Sequence, residues 1–403
     1  MTRTVVSLGT YPIRRPVHGG QRRADAFRRH YESVGVEFVS ASIYDSSHYV
    51  GEAVGPNDLP LGAAPAALAD VPFIADHLAG MQSESNELTY SRLAKLVCEQ
   101  ADVVQFEQPF MWPLLRRAKR ERRFRGRIIY CSHNVEAPLK DQILRRHHAP
   151  LDKRARIIHE IDALERELCE EADLIAACTE NDAVVYRRMV DPSKVVVVDN
   201  GVDRPPEAIA RSPAVDEVFA GRPFLLFVSS AYPPSVDGVL DLALKDGAYF
   251  LPPDKSIAIC GAVSDPVLRS AAYQRAAPGN GARVQFFPNA DEETFWALKS
   301  ACHGVILPIQ MGGGSNLKAA EALTMGKWIV STRLALRGFD AFVDPEMVLF
   351  AESARDFQAA MAEALRRPIA RQSPDRRRRA EALYWDRVIA DSAFPAALQS
   401  LLR

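Results

Sequence analysis

The chain is poor in cysteine, and what it has is scattered. Six residues, Cys98, Cys131, Cys169, Cys178, Cys260 and Cys302, occur in 403 positions with no Cys-x-x-Cys spacing. Neither a zinc site nor a disulfide framework is implied, and a reducing cytoplasm is the expected compartment. An excess of either charge is also missing: 50 Lys and Arg oppose 51 Asp and Glu, so nothing draws the whole molecule toward nucleic acid. No run of about 18 apolar residues occurs, and Val5-Val6-Ser7-Leu8 is too short for a signal peptide. A membrane span and export by that route are not expected. Gly-x-Gly-x-x-Gly and the P-loop signature are absent as well, which leaves dehydrogenase and NTPase readings without a motif.

What is present is a regular alternation. Apolar strand candidates at Thr4–Leu8, Val34–Ser40, Val103–Phe106, Arg127–Cys131, Leu174–Ala177 and Val195–Val198 alternate with helical patterns in the first half. A second series follows at Phe224–Val228, Ser256–Cys260, Val284–Phe287, Gly304–Leu307 and Trp328–Ser331. Two α/β, doubly wound parallel sheets are predicted, and with 47% hydrophobic residues the chain can supply a core to each. Ile157, Ile161, Leu164 and Leu168 predict an amphipathic helix over Asp152–Glu171, and Thr179 with Asp182 marks another helix start. The polar, Pro-bearing stretch Arg204–Pro223 is the predicted linker, and Pro56–Pro72 is predicted as loop with at most a short helix.

The densest chemistry lies in Pro308-Ile309-Gln310-Met311-Gly312-Gly313-Gly314-Ser315-Asn316-Leu317-Lys318, followed by Glu321 and Gly326. A buried strand, three glycines and an Ala-rich helix from Asn316 to Met325 place the glycines at a helix N-terminus. Backbone can approach a ligand there without Cβ obstruction, and unpaired helix N–H groups favour an anion. Lys318 adds full positive charge. Glu321, three residues on, shares its face and can accept two hydrogen bonds from the paired hydroxyls of a ribose. Together these read as a nucleoside-diphosphate site. The plainer alternative is a glycine strand end with Lys318 and Glu321 as an exposed pair.

This pattern, with Trp328-Ile329-Val330-Ser331-Thr332 and Gly338 after it, resembles the donor-site signature of the retaining GT-B glycosyltransferases of family 4. Other segments resemble the same family in the expected order: Tyr11-Pro12 with His18-Gly19-Gly20-Gln21, then Ser132-His133-Asn134, Asn200-Gly201-Val202-Asp203, and Phe227-Val228-Ser229-Ser230. The resemblance implies two Rossmann-like domains facing across a cleft, residues 1–203 for the acceptor and 204–384 for the donor. The segment from about 385 to 403, with Trp385, is implied to cross back to the first domain. It further implies that Gly19 and Gly20 lie beside the diphosphate, that His133 contacts the donor sugar, and that Ser229, Ser230 and Gly312–Lys318 belong to the nucleotide-sugar site. The loop Phe287-Pro288-Asn289 would lie against the base, and Glu321 would hold the ribose.

The implied reaction moves a sugar from a nucleotide-diphosphate sugar, uridine diphosphate being the first choice, to an acceptor hydroxyl with retention. Cell-surface polysaccharide or glycoconjugate synthesis is the implied setting. No Asp-x-Asp triplet occurs, so transfer without a metal cofactor is expected, His133, Lys318 and Glu321 carrying the chemistry. Two departures stand out. Gly313 replaces the Glu that many members carry eight residues before Glu321, and Ser229–Ser235 holds none of the basic residues often found after this strand. Arg22 or Arg333 is a candidate to supply the missing charge. Arg116–Arg127 contains eight Lys or Arg in twelve residues and Arg366–Arg379 seven Arg in fourteen, which leaves open peripheral contact with anionic lipid and a lipid-linked acceptor. These runs lack interleaved aromatics, so nucleic acid is not an expected partner. The rival readings are a nucleotide-sugar epimerase or hydrolase on the same fold, and a non-catalytic binding protein.

Overall fold

A computed structural model describes residues 3–121, 123–281, 283–370 and 373–403. The chain divides into two compact units, one of residues 1–199 with 388–403 and the other of residues 200–387. Each is a Rossmann-like doubly wound α/β unit.

In the first unit the strands are β1 (Thr4–Gly9), β2 (Glu37–Tyr44), β3 (Asp58–Pro60), β4 (Val103–Phe106), β5 (Arg127–Tyr130), β6 (Leu174–Ala177) and β7 (Val195–Val197). They form one parallel sheet in the order β3-β2-β1-β4-β5-β6-β7. β4 and β6 are buried along their whole length, and β6 accordingly reads as a continuous apolar run, whereas β4 carries the buried polar Gln105. The direction of strand addition reverses between β1 and β4, so the loops after those two strands lie side by side at the carboxyl edge, where ligands bind in such sheets.

The second unit contains β8 (Phe224–Val228), β9 (Ser256–Cys260), β10 (Val284–Phe287), β11 (Gly304–Leu307), β12 (Trp328–Ser331) and β13 (Val348–Phe350). Their order is β10-β9-β8-β11-β12-β13, again parallel, with the reversal between β8 and β11. Apolar side chains cover both faces, one layer around Leu226, Leu307 and Ala320 and the other around Phe227, Ile306 and Phe357.

Several expectations need correction. The second strand runs over Glu37–Tyr44, not Val34–Ser40, because Val34 and Gly35 close the preceding helix and Gly35 takes φ +76°. Pro56–Pro72 carries the expected short helix, at Ala66–Leu68, but also contains β3, a three-residue edge strand whose pattern is too short to register. β13, also three residues long, was equally invisible. The linker stretch Arg204–Pro223 carries the helix Pro213–Phe219, whose Val215 and Phe219 are buried. Trp385 stays with the second unit, packed where a side chain on Gly201 would be, and the first unit resumes at Val388. The helix Phe394–Leu402 returns to the first unit and sets the Phe394 ring edge-on to Phe27 at 4.9 Å.

Candidate active site

In the second unit the site is built on the reversal between β8 and β11. After β11 the chain turns through Gly312 at φ +140° and Gly314 at φ +57°, conformations that side-chain-bearing residues rarely adopt. The helix then starts at Leu317, with Asn316 as its N-cap residue, and ends at Met325 with Gly326 left-handed. The three glycines therefore precede the helix instead of forming its first turn. Arg337, from the segment after β12, donates to the carbonyls of Gly313 and Gly314, and to Leu334 O at 2.9 Å. A peptide unit carries C=O and N–H on opposite sides, so this grip turns the N–H groups of Gly314 and Ser315 away from the guanidinium. Asn200 completes the turn from the other side, its amide donating to Ser315 O at 3.1 Å and Ser315 Oγ at 3.0 Å.

The adjacency of β8 and β11 also explains how a loop without basic residues acquires a cation. The helix Pro233–Gly238 presses so closely on the exit of β11 that a Cβ on Gly238 would lie 1.7 Å from Pro308 O. That approach brings Ser235 within 3.1 Å of Lys318 Nζ, which donates to its hydroxyl. Lys318 is half-buried as a residue, and burial pulls its pKa down to about 8, against the opposing pull of Glu321. Lys318, Glu321 and Lys299 line one small recess with Leu226, Val228 and Leu307. Lys299, a member of the helix Glu292–Ala301, is buried with its ammonium over the rings of Phe295 and Trp296 and 3.8 Å from Glu321 Oε2.

The remaining predicted donor residues lie on the same carboxyl edge. Ser229 is buried, its N–H donating to Cys260 O at 3.0 Å and its hydroxyl to Ser230 O at 2.9 Å. Phe287 is half-buried and stacked on Phe219, whereas Pro288 and Asn289 are exposed. Of the two arginines considered for extra charge, Arg333 stacks on Phe350 and Arg22 sits in the first turn of the helix Gly19–Ser33 in the other unit. The arginine on the glycine turn is Arg337, which no spacing in the sequence singled out.

In the first unit a second polar cluster occupies the corresponding reversal. Glu107 directly follows β4, His133 follows β5, and Tyr11 follows β1. His133 Nε2 lies 3.2 Å from Glu107 Oε2, and its Nδ1 lies 3.2 Å from the Tyr11 hydroxyl. Burial lowers the His133 pKa, with Glu107 opposing the shift. Gly19 and Gly20 are helical rather than a free loop, because His18 caps the helix through Nδ1 while Gln21 reaches back to the N–H groups of Val17 and His18. His18 is kept neutral, its pKa pushed down to about 3 by burial, and its Nε2 lies 2.9 Å from the Tyr49 hydroxyl. Sequence reasoning missed Glu107 and Lys299. Glu107 could have been found by the rule that singled out His133, a titratable residue immediately beyond a buried strand.

The basic runs are largely matched. Arg116 pairs with Glu84 at 2.9 Å and Glu167 at 3.0 Å, Arg117 with Glu87 at 2.8 Å, and Arg127 with Asp173 at 3.0 Å. Arg367 meets Glu363 at 3.1 Å, and Arg376 pairs with Asp344 and Glu346. Arg122 and Arg371 lie outside the described residues. Among the described residues no helix is long and apolar enough to cross a membrane, and no group of three metal-ligating side chains forms.

Residues 60–204 match the sequence family described as Glycosyltransferase Family 4. No curated protein matches the chain by sequence. Among solved structures, sucrose-phosphate synthase from Thermosynechococcus elongatus is similar at TM-score 0.67 and 15% identity, covering 99% of each chain. HepE of Anabaena, in complex with UDP, is similar at TM-score 0.64 and 12% identity, covering 99% of this chain and 100% of that one. WaaG, a glycosyltransferase involved in lipopolysaccharide biosynthesis, gives TM-score 0.60 at 15% identity, covering 96% and 95%. The shared fold is GT-B.

Proposed function

We propose that this chain, a glycosyltransferase by its GT-B fold and its family 4 segment, transfers a sugar with retention from a nucleotide-diphosphate sugar to an acceptor hydroxyl. The observation that carries the reading is the conjunction of Lys318, Glu321 and the Arg337-held glycine turn on one strand-to-helix junction. Departure of a nucleoside diphosphate leaves negative charge on the leaving oxygen, and stabilising that charge is the main catalytic demand. Lys318 meets it with an ammonium group, and the first turn of the helix Leu317–Met325 adds main-chain donors. Glu321 takes the ribose hydroxyls, and His133 contacts the transferred sugar.

Uridine diphosphate sugars are the first donors to test, since one similar structure was obtained with UDP and with UDP-glucose. Saccharide and lipid-linked acceptors come first because another similar protein serves lipopolysaccharide biosynthesis. With Lys318 supplying the positive charge, turnover is expected to persist in EDTA.

The test is a calorimetric screen of UDP, GDP, ADP and dTDP and their sugar conjugates, repeated with Glu321→Ala, followed by product analysis with and without acceptor. Binding of one diphosphate that is lost in the variant, with a new glycoside formed, supports the proposal. Free sugar formed without acceptor dependence would instead identify a hydrolase, and an isomerised nucleotide sugar an epimerase.

A further inference from the structure

The polar groups around His133 form a chain whose hydrogen-bond directions can be worked out one after another. Tyr31 donates its hydroxyl to Gln105 Oε1 at 2.5 Å, which turns the amide nitrogen of Gln105 toward Glu107 Oε1 at 2.7 Å. Ser7 donates to the same Oε1 at 2.6 Å. Glu107 is 1% exposed, and with Oε1 accepting from both donors, the remaining oxygen of its ionised form, Oε2, is an acceptor. It faces His133 Nε2, so that nitrogen carries the proton of the neutral ring. Nδ1 is then an acceptor, and the group in front of it, Tyr11, is the donor. The main chain of His133 is held independently, since Cys178 Sγ donates to its carbonyl at 2.9 Å.

Gly20 is part of the same arrangement. A Cβ there would lie 2.4 Å from the Tyr11 hydroxyl oxygen and 3.2 Å from His133 Nδ1. Any side chain at this position would displace the tyrosine from the imidazole. The glycine thus has a role besides close approach to a phosphate: it vacates the space in which Tyr11 meets His133.

We infer that Glu107 is a positioning residue for His133, fixing the ring as the Nε2-protonated tautomer, and that Tyr11, seated in the space left by Gly20, secures the other ring nitrogen. This rests on the transferase reading for the role of His133, but the relay itself is a property of the free protein. A carboxylate that orients a histidine leaves a specific vulnerability to amide replacement. In Glu107→Gln the carbonyl oxygen must stay with Ser7 and Gln105, both of which donate, and the new NH2 then points at His133. The ring is driven to the opposite tautomer with its geometry intact, as in the histidine–carboxylate pair of serine proteases.

The experiment is 15N NMR of histidine-labelled protein, free of substrate, for wild type, Glu107→Gln, Tyr11→Phe and Gly20→Ala, combined with steady-state transfer kinetics. Wild type is expected to show a neutral, Nε2-protonated His133, and Glu107→Gln an Nδ1-protonated one. Tyr11→Phe and Gly20→Ala should change the Nδ1 shift alone. Transfer by Glu107→Gln should fall in kcat by about 100-fold, the scale of a misplaced catalytic group, with little change in donor KM. An unchanged tautomer in Glu107→Gln overturns the relay, and a changed tautomer with wild-type kcat overturns the positioning role. If Glu107→Gln fails to fold, a wild-type His133 that is protonated at Nδ1 overturns the relay, as an unaltered Nδ1 shift in Tyr11→Phe overturns the part of Tyr11. A protein that binds no nucleotide sugar would defeat the transferase reading, while the nitrogen shifts would still decide the relay.

Discussion

Lys299 and Glu321 form the ion pair at the base of the second-unit site, Nζ to Oε2 at 3.8 Å, although the sequence suggests Lys318 as the partner of Glu321. Lys318 points instead across the sheet reversal to Ser235. The two lysines thus part company: Lys299 pairs with the Glu321 carboxylate, and Lys318 turns to the Ser235 hydroxyl.

Lys299→Met should therefore weaken nucleotide binding without touching the nucleotide. Glu321 is left part-buried with its nearest cation gone, and removing one partner of a buried pair costs more than the pair itself contributes. A loss of about 1–3 kcal/mol in unfolding free energy is expected, read from urea denaturation, together with weaker binding by calorimetry. Wild-type stability and affinity would show the pair to be incidental.

Glu321→Ala and Lys318→Ala should separate into different defects. The first should cost roughly 1–3 kcal/mol of nucleotide affinity through lost ribose contacts. The second should lower kcat more than it weakens binding of the free nucleoside, because its charge acts where negative charge develops. Equal behaviour of both variants and wild type in calorimetry and turnover would remove the donor-site assignment.

With its pKa at about 8, Lys318 loses its proton within an accessible range. On the proposed role of its ammonium form, kcat/KM should decline as pH rises beyond about 8. Lys318→Arg, charged throughout, should lack this upper limb. A wild-type profile flat to pH 10 would show that the charge is not used.

Glu136 and Glu165 are buried in the first unit, and burial raises their pKa values to about 8 and about 7. Glu165 accepts hydrogen bonds from Tyr130 at 2.7 Å and Tyr186 at 2.9 Å, and from the Glu136 N–H at 2.9 Å. The folded state holds protons here that the unfolded chain releases near pH 4.5, so the contribution of these two groups to stability is greatest below that value and falls as pH rises toward about 8. Glu165→Gln should flatten the slope between pH 5 and 8 in urea titrations. An unaltered slope would place the buried protons elsewhere.

Gly238→Ala should be severe for so small a change. The added methyl would meet a main-chain oxygen, Pro308 O, which has no rotamer to change. The helix Pro233–Gly238 must move, and Ser235 with it, so a lowered melting temperature should come with reduced diphosphate affinity. An unchanged melting temperature would mean that the two segments separate at no cost.

Most of the sheet architecture could be read from the sequence because parallel strands buried on both faces are continuous apolar runs. Leu174–Ala177, Phe224–Val228 and Gly304–Leu307 have the predicted bounds for that reason. β3 and β13 escaped because three residues at a sheet edge carry no period. At the site, glycines and charges close in sequence could be read, since a strand-to-helix junction gathers them locally. Arg337, Lys299 and Ser235 could not, because each reaches the junction from a different segment and only the strand order brings them together. Gly20 was read as phosphate-binding, yet its Cβ position is taken by Tyr11, a contact no spacing rule encodes.

The return of the helix Phe394–Leu402 to Phe27 sets an order of assembly. The first unit is made of two stretches with the whole second unit between them. During synthesis its surface around Phe27 and Tyr31 stays uncovered while the second unit is translated and able to fold. The domain begun first is finished last, and a ribosome that stalls shortly after Arg387 releases a chain with a closed second unit and an apolar face open to chaperones and proteases.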